Sequence, residues 1–182
     1  TSDKDGNIYI LERVSTYMEQ TEAGASELEA NPAPVEEVSM QTEGFFLRKI
    51  DLTGAETGSA DIAEIREGSE YFYAADMVVS ADGNVLLADG DGNMYMFDKD
   101  LGLKGKTRLE GENNHINKLL VLADGSVAVT YYYNGGTAIT KIDFEKAAVG
   151  ETIKTTLSAW EFYPGNGDYD FFYTSGTLLM GY

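Results

Sequence analysis

The sequence predicts an all-β protein of the β-propeller class, built from four-stranded antiparallel blades. Three observations carry this. An apolar residue followed by aspartate ends a short β-type run three times, at Ile50-Asp51, Phe97-Asp98 and Ile142-Asp143, and the aspartates recur at intervals of 47 and 45 residues. A second landmark travels with the first. "ADGN" (81–84) and "ADGS" (123–126) precede the runs "VLLA" and "VAVTYYY", 42 residues apart. Twelve tyrosines and eight phenylalanines give a β-leaning aromatic load, and stretches fit for a long amphipathic helix are scarce. Four short strands in a repeat of roughly 40 to 50 residues match one propeller blade.

Each element follows from local chemistry. Strand a is apolar, as in "INKLLVL" (116–122). Apolar on both phases, it is predicted to be the buried innermost strand. A tight turn at "ADG" leads to strand b, "SVAVTYYY" (126–133), then strand c, "TAITKIDF" (137–144), and strand d, "TIKTTLSAW" (152–160). "SDKDGNIYILERV" at the start and "YTSGTLLMGY" at the end repeat the hairpin pattern. The chain thus reads as b-c-d, two full blades over about 71–110 and 116–160, and a final a-b pair over 169–182. That is about three and a half blades, whereas closed propellers typically use about 4 to 8. An excised part of a larger propeller is therefore expected.

Residues 1–182 form one domain with an insertion at 17–43, between strands b and c of the first blade. The insertion holds Glu19, Glu22, Glu27, Glu29, Glu36, Glu37 and Glu43, and no basic residue. Such composition reads as a solvated loop, with a short helix over 26–30 as an option. It reads first as a tolerated surface insertion and second as an acidic lid or docking arm.

Asp-Gly-Asn occurs at 82–84 and 91–93. Between β-type runs it is a hairpin signal, because glycine and asparagine tolerate positive φ. A calcium loop of the EF-hand kind needs Gly at its sixth position and Glu at its twelfth. Counted from Asp89 these are Met94 and Asp100, and counted from Asp3 they are Ile8 and Val14. No metal site and no cofactor is predicted.

Composition narrows function. The net charge of −18 repels nucleic acid and anionic membrane surfaces. The absence of cysteine removes disulfides, thiolate metal sites and cysteine nucleophiles. No apolar run approaches the ~20 residues of a membrane span. His115 is the only histidine, so Ser–His–Asp chemistry has one candidate base, and no G-x-S-x-G elbow exists. His115 reads first as a loop residue bonded to neighbouring backbone.

Meander topology sorts the connections. The a–b and c–d turns fall at one end of the blades, and the b–c and d–a loops at the other. The a–b turns are plain "DG" corners. The unusual residues fall in the other set: Asp89 and Asp91, Asn113 and His115, Tyr132 and Tyr133, and the stretch from Trp160 through Tyr163, Asn166 and Asp168. Polar and aromatic loops gathered at one end suit a binding surface. Trp160, beside Phe162 and Tyr163, reads equally as a stacking platform for a sugar ring or cation and as a blade-packing aromatic. Successive side chains alternate faces in a strand, so at least one ring of Tyr131-Tyr132-Tyr133 is expected inside.

"SADGNVLLADGDGNMYMFD", "LLVLADGSVAVTYYYNGGTAITKID" and "GDYDFFYTSGTLLMGY" resemble the β-propeller region of exported lipoproteins of gut Firmicutes. In that family the propeller is often joined to an ABC-transporter-type extracellular solute-binding domain. The resemblance implies a Gram-positive cell-surface location through a lipid anchor outside this sequence, with more chain after Tyr182. The function expected is a non-catalytic extracellular binding or interaction module, associated with uptake of a sugar or peptide. Its partners are a small-molecule or glycan ligand, a partner protein or a neighbouring domain. The alternatives are a propeller enzyme acting on glycans or polyphenols through carboxylates, and a scaffold for neighbouring domains.

Overall fold

A computed structural model describes residues 1–16, 41–66, 72–110, 115–156, 161–164, 171–175 and 178–181. Among the described residues, fourteen strands form four antiparallel sheets in up-and-down order. The first holds β1 (Ile8–Thr16), β2 (Gln41–Ile50) and β3 (Glu56–Asp61). The second holds β4 (Ala74–Val79), β5 (Val85–Asp89), β6 (Asn93–Phe97) and β7 (Leu103–Arg108). The third holds β8 (Ile116–Val121), β9 (Val127–Tyr133), β10 (Gly136–Asp143) and β11 (Ala148–Thr155). The fourth holds β12 (Glu161–Pro164), β13 (Phe171–Ser175) and β14 (Leu178–Gly181). β4 touches β8 and β8 touches β12, so these first strands line up side by side, while β7 meets β11 at the outside. This is the blade arrangement of a β-propeller. The sheets read b-c-d, a-b-c-d, a-b-c-d and a-b-c.

The second blade shows why blades stack. Every residue of β5 is buried. Its side chains alternate, and each phase meets a different neighbour. Val85 and Leu87, with Tyr95 and Phe97 of β6, pack on Tyr9, Phe45 and Leu47 of the first blade. Leu86 and Ala88, with Met94 and Met96, pack on Leu119, Val127, Val129 and Tyr131 of the third.

Three expectations are corrected. Strands b and c carry the deepest burial, not strand a. Ala75 on β4 and both Asn117 and Lys118 on β8 are exposed. Strand a has a sheet partner on one side only, whereas b and c are flanked on both. The final sheet has three strands, not two: β12 at Glu161–Pro164 is strand a, and the run expected to begin the sheet is strand b. The insertion ends at residue 40, because β2 begins at Gln41. One short helix, α1 (Ile62–Ile65), follows β3; Asp61 Oδ1 caps it by accepting from Ala63 N at 2.8 Å, and Ile62 enters the core. The helix considered over 26–30 lies outside the described residues.

The Asp-Gly motifs are hairpin corners. Six corners share one plan, in which the fourth residue has positive φ and its N–H donates to the carbonyl of the first. They are Gly6 to Asp3, Gly54 to Asp51, Gly83 to Ser80, Gly92 to Asp89, Leu101 to Asp98 and Gly125 to Leu122. This is a type I turn followed by a left-handed residue. Leu101 takes that place without being glycine, at φ 66°, and its side chain is buried in the core. A side-chain acceptor often completes the corner. Asp51 Oδ1 accepts from Thr53 N at 2.8 Å, Thr53 Oγ1 at 2.6 Å and Ala55 N at 3.0 Å. Asp124 Oδ1 accepts from Ser126 N at 2.8 Å and Ser126 Oγ at 2.6 Å.

Corners also fasten blades together. Ala81 N donates to Gly125 O at 3.2 Å between the second and third blades. Leu119 N on β8 donates to Asp76 Oδ2 on β4 at 2.9 Å. Gly125 stands at this junction with φ 81°, and a Cβ there would come 2.5 Å from Ala81 Cβ. Gly125→Ala is therefore expected to destabilise the protein by about 2 kcal/mol or more, combining left-handed strain with overpacking. Chemical denaturation checks this, and an unchanged midpoint would show that the junction yields freely.

Corner carboxylates also set an acid response. The Thr53 hydroxyl, with the Ala55 and Thr53 N–H groups, holds Asp51 below its ordinary pKa. The Ser126 hydroxyl and N–H do the same for Asp124, and the Lys146 ammonium for Asp143. A folded pKa below the unfolded value means that the folded state binds fewer protons. The stabilisation is complete above the unfolded value of about 3.9 and is lost as pH falls further. The melting temperature should fall between pH 5 and pH 3, and less steeply after Asp51→Asn, Asp124→Asn and Asp143→Asn are combined. An equal slope in the triple variant would place the acid response elsewhere.

Candidate functional site: the end carrying the b–c and d–a connections

The b–c corner of the second blade is built on Asp89. Its Oδ1 accepts from Asp91 N at 3.0 Å and Asn93 N at 2.9 Å. Its Oδ2 accepts from Asn93 Nδ2 at 2.8 Å and the Tyr95 hydroxyl at 3.1 Å. Asp89 is 6% exposed, so the carboxylate is buried with four donors around it. It braces the loop and is not a ligand-facing group, which corrects its place among the binding candidates. Asp91 is exposed, with its backbone N–H fixed to Asp89. Its carboxylate has no partner among the described residues.

The first blade repeats this set. Asp3 accepts from Asp5 N at 3.0 Å, Asn7 N at 2.9 Å, Asn7 Nδ2 at 2.8 Å and the Tyr9 hydroxyl at 3.1 Å. The shared sequence is Asp-x-Asp-Gly-Asn-x-Tyr, at 3–9 and 89–95. One copy is an a–b corner and the other a b–c corner, at opposite ends of the blades. Burial pushes Asp3 up, but the bonds from Asn7, Tyr9 and Asp5 prevail and hold it below the ordinary carboxylate range. Burial first, and then Asp3, pushes the Tyr9 hydroxyl well above its ordinary value.

The b–c turn of the third blade is Tyr133-Asn134-Gly135-Gly136. Asn134 and Gly135 have φ 47° and 85°, and Tyr133 pairs with Gly136, which is the two-residue turn favoured by right-handed strand twist. Tyr131 is buried, as the alternation requires, while Tyr132 is 42% exposed. Tyr132 N donates to the His115 carbonyl at 2.9 Å, which joins the d–a and b–c connections. The His115 side chain is exposed. Tyr133 is half-buried. Its ring stands edge-on to Tyr131 at 6.3 Å, and Lys154 Nζ lies 4.4 Å above its centre and 3.3 Å from its hydroxyl. Glu110 meets the same ammonium at 3.5 Å. The bond to Tyr133, with Glu110 nearby, raises the Lys154 pKa.

Among the described residues, the structure therefore gathers Asp89, Asp91, His115, Tyr132 and Tyr133 at one end. Sequence reasoning missed Lys154, Glu110 and Tyr73 there. Tyr73 is 77% exposed directly before β4. Its signal was the alternation in Phe72-Tyr73, which sends one ring in and the other out. Trp160, Asn113, Asn166 and Asp168 lie outside the described residues. Tyr163 is on β12, opposite Phe172 of β13.

The opposite end is less plain than its corners suggested. A groove of about 430 Å³ is lined by the a–b corners of the second and third blades, with Asp82, Asp124, Asp143 and Phe144. A second, of about 350 Å³, lies between the first and second blades, beside Asp3, Asp82, Lys49 and Lys99. Asp3, Asp124 and Asp143 already accept bonds within their own corners. Among the described residues, no three acidic or histidine side chains are grouped to hold a metal ion.

The fold and its loop-bearing end define a β-propeller-type repeat protein. No family model and no curated protein matches the sequence. Two solved structures are similar in shape. One is a protein of unknown function from Bacteroides caccae, 10% identical, with TM-score 0.49 over 72% of this chain and 47% of that one. The other is a europium-containing methanol dehydrogenase, 16% identical, with TM-score 0.43 over 62% of this chain and 23% of that one. The chain thus spans about half the length of the first and a quarter of the second.

The two copies of the motif allow a direct comparison. Asp89→Ala removes the buried acceptor of the Asp91 and Asn93 N–H groups, the Asn93 amide and the Tyr95 hydroxyl, and should cost about 2–3 kcal/mol. Asp3→Ala breaks an equivalent set nearer to solvent and should cost visibly less. Equal losses by urea denaturation would mean that burial does not set the worth of this corner.

Proposed function

We propose that the chain is a non-catalytic recognition module that binds a small solute, sugar or peptide, at the end carrying its b–c and d–a connections. The observation that carries this is the pairing of exposed polar and aromatic groups with a rigid base. Tyr132, Asp91 and the His115 side chain are exposed, while Asp89 and the Asn134-Gly135 turn hold the backbone beneath them. Preorganised side chains lose less entropy on binding. Asp3, Asp51, Asp89, Asp98, Asp124 and Asp143 are engaged as hydrogen-bond acceptors within their corners, which takes these six out of paired-carboxylate catalysis. The repeat motifs resemble those of exported lipoprotein propellers. On that ground the module belongs at the surface of a Gram-positive cell, attached to solute uptake.

Amide NMR on the intact protein tests the binding end. Neutral oligosaccharides and short peptides are titrated as two separate pools. Shifts should concentrate at residues 90–93, 115–116 and 132–135, and Tyr132→Ala should weaken the binding pool by about fivefold with an unchanged melting temperature. Shifts confined to 81–83 and 124–126 would move the site to the opposite end and overturn the proposal. Steady conversion of any pool member to product would overturn the non-catalytic reading.

A further inference from the structure

We infer that Tyr73, Gly90 and Asp91 form a stacking subsite for a neutral pyranose with equatorial hydroxyls. The inference rests on the binding end proposed above and names its ligand class. Phe72 and Tyr73 alternate. Phe72 points inward and is wedged between Phe45 and Tyr95, with ring centres 5.3 and 6.1 Å away. That anchors the backbone from which Tyr73 projects. Gly90 N donates to the Tyr73 carbonyl at 2.8 Å, which ties the same backbone to the b–c corner. The Tyr73 ring then lies over residue 90. A Cβ there would stand 3.1 Å from Tyr73 Cδ1 and 3.9 Å from Cε1, so glycine lets the ring settle onto the backbone. The ring nevertheless remains 77% exposed. A tyrosine seated at one edge and open elsewhere is a platform prepared before any ligand arrives.

The next residue supplies the polar partner. Asp91 follows Gly90, its backbone is pinned by Asp89, and its carboxylate is exposed without a partner among the described residues. A pyranose with equatorial hydroxyls presents axial C–H bonds as an apolar face. That face suits the Tyr73 ring, while a hydroxyl at the sugar's rim donates to Asp91. The chain's net charge of −18 selects against uronates and sulfated sugars. A β-1,4-linked glucose chain has the required equatorial hydroxyls and no charge.

The test uses cellohexaose as the probe on the intact protein, read by amide NMR and calorimetry. Binding should shift the amides of Gly90 and Asp91. Tyr73→Ala should weaken it about fivefold to tenfold, Tyr73→Trp should retain it, and Gly90→Ala, by lifting the ring, should weaken it by a smaller factor. Tyr73 is exposed, so its two variants keep the parent melting temperature. Binding of cellohexaose with no loss in Tyr73→Ala overturns the subsite. So does a peptide pool that shifts residues 132–135 while cellohexaose shifts nothing, but that result leaves the binding end intact. Silence of that end toward both probes overturns the subsite and the proposed function together.

Discussion

Two-sided burial of the second blade is the constraint on which the rest of the structure depends. A four-stranded sheet has two faces and cannot cover either by itself. β5 resolves this by giving one alternating phase to each neighbour: Val85 and Leu87 to the first blade, Leu86 and Ala88 to the third. No polar side chain fits either phase until Asp89, and there the strand ends. The corners must then turn the chain within a few residues, or the next strand cannot lie beside its partner. The shared corner plan answers that demand at five corners of the a–b and c–d end and once more at Asp89, the b–c corner of the second blade.

Buried polar groups follow the same logic. Asp89 is tolerable at 6% exposure because four donors surround its carboxylate. Three of those donors lie on or belong to Asn93 and Tyr95, residues that must themselves be placed for β6 to pair with β5. Satisfying the carboxylate and setting the strand register are one event. On β4, Asp76 extends this across blades by accepting from the backbone of β8. The stack is thus joined by directed bonds as well as by apolar contact.

The fold was legible because its signals are local. Ile50-Asp51, Phe97-Asp98 and Ile142-Asp143 each mark the end of a strand c, and strands c of three blades stand where those pairs placed them. β8 at Ile116–Val121 stops one residue short of the expected run. What escaped was context. Glu-Phe-Tyr-Pro before Gly-Asn-Gly has the look of a loop, yet it forms β12 by pairing with β13. Strand a looked like the most buried because it is apolar, but burial depends on how many sides are covered. At the candidate site, the end of the blades bearing Asp91, His115 and Tyr132 followed from alternation alone. The role of Asp89 did not, since a sequence gives no distance to Tyr95. Nor did Tyr73, whose setting depends on a glycine 17 residues away.

The motif at 3–9 and 89–95 draws every donor and acceptor of its closure from seven consecutive residues. Such a closure carries its own instructions and is indifferent to which strands it joins. It serves the a–b position in one blade and the b–c position in the next. In the history of a repeat protein that makes it a movable part. A copied hairpin arrives already able to turn, and drift can reshape the blade around it without first inventing a new corner.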